Sequence, residues 1–140
     1  MRLISPIAAL ALLASQARAA PSVSDLQHVN DQYNASIRYE RGASWAPNAQ
    51  VGDCKVYAVT KRAALLALGW SSDTLAVWRV ADERGEDHAV LVATLGDTPY
   101  VLDNREVSIW SKAQLERHGY RFEYAYEPWL LATLANGPKR

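Results

Sequence analysis

Residues 52–69 read GDCKVYAVTKRAALLALG, which is the strongest helix pattern in the chain. Alanine and leucine, both good helix formers, are the commonest residues after the cysteine. Asp53 stands at the N-cap position, where a carboxylate accepts backbone N–H groups of the first turn. Gly69 stands where a glycine often ends a helix. The pattern therefore predicts a helix from Cys54 to Leu68 that begins at the cysteine.

Cys54 is the only cysteine in the sequence, so it cannot form a disulfide within the chain. A cysteine attacks as the thiolate, and a helix N-terminus stabilises negative charge through its free N–H groups and its macrodipole. A buried structural thiol is the alternative, because free cysteine is among the most buried residue types. The position at the start of a helix favours a reactive nucleophile.

The first 19 residues have the pattern of a signal peptide. Arg2 precedes an apolar stretch over residues 3–14, and Ala17-Arg18-Ala19 has the small-x-small form that signal peptidase cuts. The apolar stretch is shorter than the roughly 20 residues that span a membrane. We therefore expect residues 1–19 to be removed and the protein to be periplasmic or secreted; a retained anchor is the alternative.

Residues 20–140 are then expected to form one domain. Loss of Arg2 and Arg18 leaves 13 of the 15 basic residues against 15 acidic ones, a net charge of −2. This charge provides no field that would attract nucleic acid, so no nucleic-acid partner is expected. A chain of about 120 residues with this apolar content supports a single hydrophobic core.

Upstream of the central helix, the segment from Ser24 to Tyr39 has apolar residues at helical spacing. Ser24 and Gln27 would form its capping box. Residues 40–52 contain two glycines and a proline and show no sustained period, which predicts a loop.

Downstream of the central helix, three apolar segments predict successive antiparallel strands at residues 75–80, 88–95 and 100–103. A connection over residues 95–98 would pair Thr94 with Pro99. Ser111 to Arg117 predicts a short helix with a capping box of Ser111 and Gln114. Alternation over residues 120–127 predicts a half-buried strand, and a short helix is expected from Pro128. The order indicates an α+β fold with N-terminal helices packed on an antiparallel β-sheet.

A cysteine nucleophile needs a base that takes the thiol proton, and the sequence offers three histidines. His88 begins a predicted strand directly after an acidic turn, so it lies at a sheet end where a cleft can form. His28 lies on the first helix, and His118 stands where a helix ends. His88 is therefore the expected base, although a histidine at a strand end is often only a surface residue.

Asp103 is the expected partner that orients the ring of His88. If residues 95–98 connect the two strands, Asp103 falls on the same face as His88, as a diagonal neighbour. A connection of odd length would turn Asp103 to the other face, because strand side chains alternate. Asn104 or Asp97 would then be the orienting group.

In combination, these residues resemble the bacterial transglutaminase-like cysteine proteinases, which include periplasmic proteases that release biofilm adhesins. The likeness rests on segments that follow one another in the family's order: Gly52-Asp53-Cys54, Lys61-Arg62-Ala63-Ala64-Leu65, His88-Ala89-Val90-Leu91 and Val101-Leu102-Asp103-Asn104. The resemblance implies a papain-like or transglutaminase-like fold with a triad of Cys54, His88 and Asp103. It also implies a protein or peptide substrate, a surface adhesin in that branch, and an inner-membrane regulatory protein as a partner.

The activity that this resemblance implies is hydrolysis of a peptide bond through an acyl-enzyme. The Cys54 N–H and the Gln50 side chain would stabilise the oxyanion. Two alternatives stay open at this point. One is acyl transfer to an amine, as in transglutaminases, and the other is a non-catalytic binding module on the same fold.

The residues after the cysteine depart from the family pattern. Family members usually have Glu-Asp there, and in the adhesin-releasing branch the acids around the cysteine help to bind calcium. Here Lys55 and Val56 stand in their place, which leaves Asp53 as the only retained candidate ligand. Calcium needs six to eight oxygen ligands, so no metal cofactor is expected.

Overall fold

The structure is a computed structural model that describes residues 19–42 and 44–136. The predicted signal peptide lies outside the described residues except for Ala19. Among the helices in the described ranges, none combines the length and apolar character of a membrane-spanning segment.

Four α-helices and seven short to medium strands make up the described chain. The helices are α1 (Val23–Ser36), α2 (Cys54–Ala67), α3 (Lys112–Arg117) and α4 (Pro128–Asn136). The strands are β1 (Arg38–Tyr39), β2 (Val51–Gly52), β3 (Leu75–Ala81), β4 (Asp87–Leu95), β5 (Thr98–Leu102), β6 (Trp110–Ser111) and β7 (Arg121–Ala125). This is the predicted α+β arrangement.

Helix α2 begins at Cys54, as the sequence predicts. The Asp53 carboxylate accepts the backbone N–H of Lys55, so Asp53 is the N-cap. The helix ends at Ala67, one residue before the predicted end, and Gly69 follows with a positive φ of 97°. This φ suits a glycine, because it has no β-carbon to clash with the backbone.

Helix α1 begins at Val23, with its N-cap two residues before the predicted N-cap Ser24, and its predicted capping box of Ser24 and Gln27 is wrong. The box is formed by Ser22 and Asp25, each of whose side chains accepts the backbone N–H of the other. A tertiary contact explains the choice, since the Trp70 indole N–H donates to Asp25 at 3.1 Å. The predicted box of Ser111 and Gln114 on α3 is confirmed.

Five strands form one antiparallel sheet in the order β6-β5-β4-β3-β7. Strands β3, β4 and β5 are successive neighbours, as predicted. Thr94 pairs with Pro99, which confirms the predicted register. Because Leu95 also pairs with Thr98, only Gly96 and Asp97 connect the two strands.

Several segments differ from the sequence prediction. The first helix is predicted to run to Tyr39, but α1 ends at Ser36 and Arg38–Tyr39 form β1. Strand β6 is not predicted. Residues 51–52, predicted as loop, form β2, which pairs in parallel with β1 beside the start of α2. Strand β7 is less buried than its alternation predicted: Phe122 is partly buried, whereas Tyr124 is 45% exposed. It is an edge strand, and a register shift opposite Arg79 and Val80 interrupts its pairing with β3.

Apolar side chains form clusters on both faces of the sheet. Helices α1 and α2 cover one face with residues such as Leu26, Val29 and Leu65, which pack with Leu91 of β4. On the other face, Leu115 of α3 packs with valines of β3, β4 and β5 and with Tyr120. Cys54 at the start of α2 and His88 near the start of β4 line the same cavity, so the start of α2 lies beside the end of the sheet at which β4 begins.

Candidate active site

Cys54 is the first residue of α2, and its side chain is partly buried. The backbone N–H groups of Lys55, Val56 and Tyr57 are accepted by Asp53. Within the described ranges no acceptor faces the N–H of Cys54 itself, which is one of the free donors of the helix N-terminus. The sulfur and a free N–H donor therefore belong to the same residue.

The turn into α2 depends on Gly52. A β-carbon built on Gly52 would lie 2.3 Å from Cγ2 of Val56, inside the first turn of the helix. Any larger residue would push the helix start away from β2. Glycine at this position thus sets the distance between the strand and the residue Cys54.

His88, at the beginning of β4, is buried beside Asp103. His88 Nε2 lies 2.8 Å from Oδ1 of Asp103, so this ring nitrogen donates to the carboxylate. Asp103 directly follows β5, at the position that the register predicts. Because Nε2 is used by Asp103, Nδ1 is the nitrogen that remains for the thiol of Cys54.

The electrostatics of this pair favour its charged form. Burial alone would lower the pKa of His88, but hydrogen bonds to Asp103 and Cys54 and the charges of both residues raise it to about 9. Burial would raise the pKa of Asp103, but the hydrogen bond and charge of His88, together with further donors, hold it below its usual range. An imidazolium next to a carboxylate is therefore stable in this pocket.

Two further residues, Tyr120 and Arg105, hold the carboxylate of Asp103, and the sequence analysis did not identify them. The Tyr120 hydroxyl donates to Oδ2 of Asp103 at 2.7 Å. Arg105 donates to the Tyr120 oxygen at 3.0 Å and to Asp82 at 2.9 Å, and its backbone N–H donates to Oδ1 of Asp103. The alternation of β7 placed Tyr120 near a strand, but only the pairing of β7 with β3 brings it to Asp103.

A cavity of about 780 Å³ lies in front of Cys54 and His88. Its walls come from the segment after β1, the start of α2, the β3–β4 turn and the segment after β5. The lining residues include Tyr39, Arg41, Gly42, Asp53, Lys55, Asp82, Glu86, Asn104 and Arg105. A smaller cavity, also lined by Cys54, includes Arg79, Ala89 and Tyr126 in its walls. Both cavities are lined by Cys54 and His88, and the larger one is called the cleft.

The remaining residues considered from the sequence lie elsewhere. His28 is exposed on α1, and His118 is the C-cap of α3, with its ring against Trp110. Asp97 is in the exposed turn between β4 and β5. Asn104 lines the cavity, but it is Asp103 that bonds His88.

The Gln50 side chain is exposed just before β2. Its backbone oxygen accepts the N–H of Arg38 at 2.9 Å. Gln50 is not among the described residues that line the cavity, and its oxyanion role stays a prediction.

Lys61 is buried, which the sequence analysis did not predict. Its side chain is 0% exposed, and its ammonium donates to the Asn30 side chain at 2.8 Å. Asn30 in turn donates to the backbone oxygen of Glu106, which closes the turn that begins at Asp103. Lys61 therefore connects α2 to the segment that carries Asp103.

Comparisons with known proteins agree with this geometry. The model of the family described as bacterial transglutaminase-like cysteine proteinase (BTLCP) matches residues 11–126. Comparison with curated proteins found no significant match.

Among solved structures, Legionella pneumophila LapG matches with a TM-score of 0.68 and 24% identity, over 77% of this chain and 66% of that one. EGTA-treated LapG matches at 0.66 and 27%, over 77% and 64%, and calcium-bound LapG at 0.66 and 28%, over 77% and 66%. The fold is shared, and the chain spans just under two thirds of the length of these structures.

One of these structures is calcium-bound, whereas the residues around Asp53 in this chain are arranged around a lysine. The Lys55 ammonium is bonded to Oδ2 of Asp53, and the other carboxylate oxygen accepts the Lys55 N–H. No cluster of three or more acidic, histidine or cysteine side chains suited to a metal occurs among the described residues. Calcium requires six to eight oxygens, so this arrangement does not fit it.

Proposed function

The chain belongs to the bacterial transglutaminase-like cysteine proteinases, and from that premise we propose that it is a cysteine peptidase acting through Cys54, His88 and Asp103. The observation that carries the proposal is the His88 ring: one nitrogen bonds the buried Asp103, and the ring opens onto the cleft that contains Cys54. A base held in one orientation beside a thiol is the arrangement that nucleophilic catalysis by cysteine requires.

In the proposed reaction, the thiol proton of Cys54 moves to Nδ1 of His88, and the thiolate attacks the carbonyl carbon of a peptide bond. Collapse of the tetrahedral intermediate breaks the C–N bond, and the imidazolium gives its proton to the departing amine. The acyl group is then attached to the sulfur as a thioester. Water, deprotonated by His88, attacks the thioester and releases the acid and the free thiol.

The oxyanion of each tetrahedral intermediate is proposed to accept the backbone N–H of Cys54. This donor is free and lies at the positive end of α2, so it needs no rearrangement to stabilise negative charge. The Gln50 side chain is proposed as a second donor, which requires it to turn inward from its exposed position.

The proposed location is the periplasm or the exterior of the cell, on the evidence of the signal-peptide pattern in residues 1–19. The proposed substrate is a protein or peptide. From the family resemblance, we propose a surface adhesin as that substrate and an inner-membrane regulatory protein as a partner. No metal cofactor is proposed, because the Asp53 carboxylate is already neutralised by Lys55.

Alkylation by iodoacetamide across pH tests the nucleophile. An ordinary thiol is only about 1% ionised at about pH 6.5, so a thiol paired with His88 should react there far faster than a free one. His88→Ala should slow alkylation at that pH by on the order of 10- to 100-fold. His28→Ala, which removes an exposed histidine, is the matched control and should react like the wild type.

The chemistry is tested by incubating the mature protein with a peptide library and reading new termini by mass spectrometry. Cleavage that is lost in Cys54→Ala supports hydrolysis. Incorporation of an added primary amine without cleavage would instead indicate acyl transfer. A Cys54 that is slow at about pH 6.5 and indifferent to His88→Ala would reject both enzymatic functions and leave the binding module.

A further inference from the structure

Lys55 makes three contacts that together surround its ammonium group. The ammonium bonds Oδ2 of Asp53, donates to the backbone oxygen of Gly42 at 3.2 Å, and lies 5.9 Å from the ring centre of Trp45. Its side chain is 23% exposed. An anionic oxygen, a carbonyl oxygen and an aromatic face are all groups that attract a cation.

These contacts connect the helix that carries the nucleophile with the segment between β1 and β2. Gly42 lines the cavity in front of Cys54, so the Lys55 bond fixes one wall of the cleft. Further along the segment, Trp45 packs edge-on against Tyr126, with 4.9 Å between ring centres. Lys55 thus fixes the segment at Gly42, which lines the cleft, and Tyr126 fixes it at Trp45.

Asp53 has two roles in this arrangement. Its Oδ1 caps α2 by accepting the Lys55 N–H at 3.1 Å, and its Oδ2 holds the Lys55 ammonium. The same residue therefore fixes the helix start and, through Lys55, the cleft wall. Residue 55 immediately follows Cys54, so any shift of the wall is transmitted to the residue next to the sulfur.

We propose that the Lys55 ammonium is a built-in cation that holds Gly42 and Trp45 against Asp53, so that the substrate cleft is assembled without a metal ion. Because this cation is covalently attached, it is present at every calcium concentration, and a soluble ion would have to displace it from the carboxylate. The proposal rests on the proposed function only in treating the cleft as the substrate site.

Hydrogen–deuterium exchange of residues 39–47 tests the proposal, in a Cys54→Ala background so that the result does not depend on catalysis. Lys55→Met removes the charge and donors but keeps the length of the side chain, and it should speed exchange of this segment by about tenfold. Lys55→Arg should restore slow exchange. Lys112→Met, which removes a lysine paired with Glu116 on α3, is the matched control and should leave the segment unchanged.

Calcium provides a second measurement on the protein without a substitution at residue 55. Calorimetric titration with calcium chloride should show no binding in the micromolar range, and neither calcium nor EGTA should change exchange of the segment. Micromolar binding, or exchange slowed by calcium, would overturn the proposal. So would a folded Lys55→Met variant whose segment exchanges as slowly as in the control, whatever the outcome for peptidase activity.

Discussion

Replacement of Lys61 should remove a pH dependence of stability that is built into the core. Burial, partly offset by the charge of Asp103, lowers the pKa of Lys61 from 10.5 to about 7. The folded state therefore releases a proton near neutral pH that the unfolded chain keeps until about pH 10.5. The difference of roughly 3.5 pKa units corresponds to about 5 kcal/mol of destabilisation at acidic pH, which fades as pH rises from about 7 to about 10.5.

Lys61→Met removes this destabilisation but leaves the buried Asn30 side-chain oxygen without its donor, at a cost of about 1–3 kcal/mol. We expect the variant to be more stable than the wild type at about pH 6, by on the order of 2–4 kcal/mol. By about pH 9.5 the difference should shrink by about 3 kcal/mol.

His88 titrates with the opposite sign. Its folded-state pKa is raised to about 9, so the stability that it contributes is present below about pH 6.5 and is lost as pH rises through 9. Because His88 is present in both proteins, subtracting the two stability curves isolates the contribution of Lys61.

Urea unfolding followed by tryptophan fluorescence, in reducing buffer between about pH 6 and 9.5, measures both curves. Lys112→Met, at a partly buried position on α3, is the control, and its stability should depend on pH as that of the wild type does. Parallel curves for the wild type and Lys61→Met would refute the assignment of a depressed pKa to Lys61. A variant that is less stable at every pH would show that the Asn30 bond outweighs the desolvation of the ammonium.

Three further substitutions test other parts of the structure. Tyr120→Phe removes the 2.7 Å donor to Asp103 and should lower kcat/KM, or the alkylation rate at neutral pH, about tenfold without unfolding the protein; an unchanged rate would contradict the positioning role. Gly52→Ala places a β-carbon 2.3 Å from Val56 and should lower the free energy of unfolding by about 1–3 kcal/mol, and adding Val56→Ala should restore part of it. Leu65→Ala leaves a cavity at a fully buried site and should lower the free energy of unfolding by about 2–5 kcal/mol in urea. An unchanged free energy of unfolding would contradict the burial of Leu65.

Several features could be predicted from the sequence because neighbouring residues decide them. The start of α2 at Cys54 follows from a capping carboxylate one residue earlier and from the helix formers after it. The pairing of Thr94 with Pro99 follows from a short turn between two apolar runs. That register carries Asp103 to the face of His88, so the central pair of the candidate site was already implicit in local patterns.

Other features were not predictable, because their partners lie far apart in the chain. The capping box of α1 begins at Ser22 rather than Ser24, and its Asp25 also holds the indole N–H of Trp70, 45 residues later. Tyr120 reaches Asp103 only because β7 pairs with β3 at the far side of the sheet. In the sequence, Tyr120 looks no different from Tyr124 and Tyr126, which alternate along the same predicted strand.

The sequence by itself determined where the nucleophile helix begins, because the Asp53 cap lies next to the first helical residue. It also placed His88 and Asp103 on one face, provided that the connection between their strands has an even length. Only the tertiary structure decided that Lys55 is bonded to Asp53 and Gly42 and that Lys61 is buried against Asn30. A lysine in a helix is ordinarily a solvated residue. Whether its charge is solvated, paired or buried depends on which segments the fold packs around it, and those segments are 13 and 31 residues away in the chain.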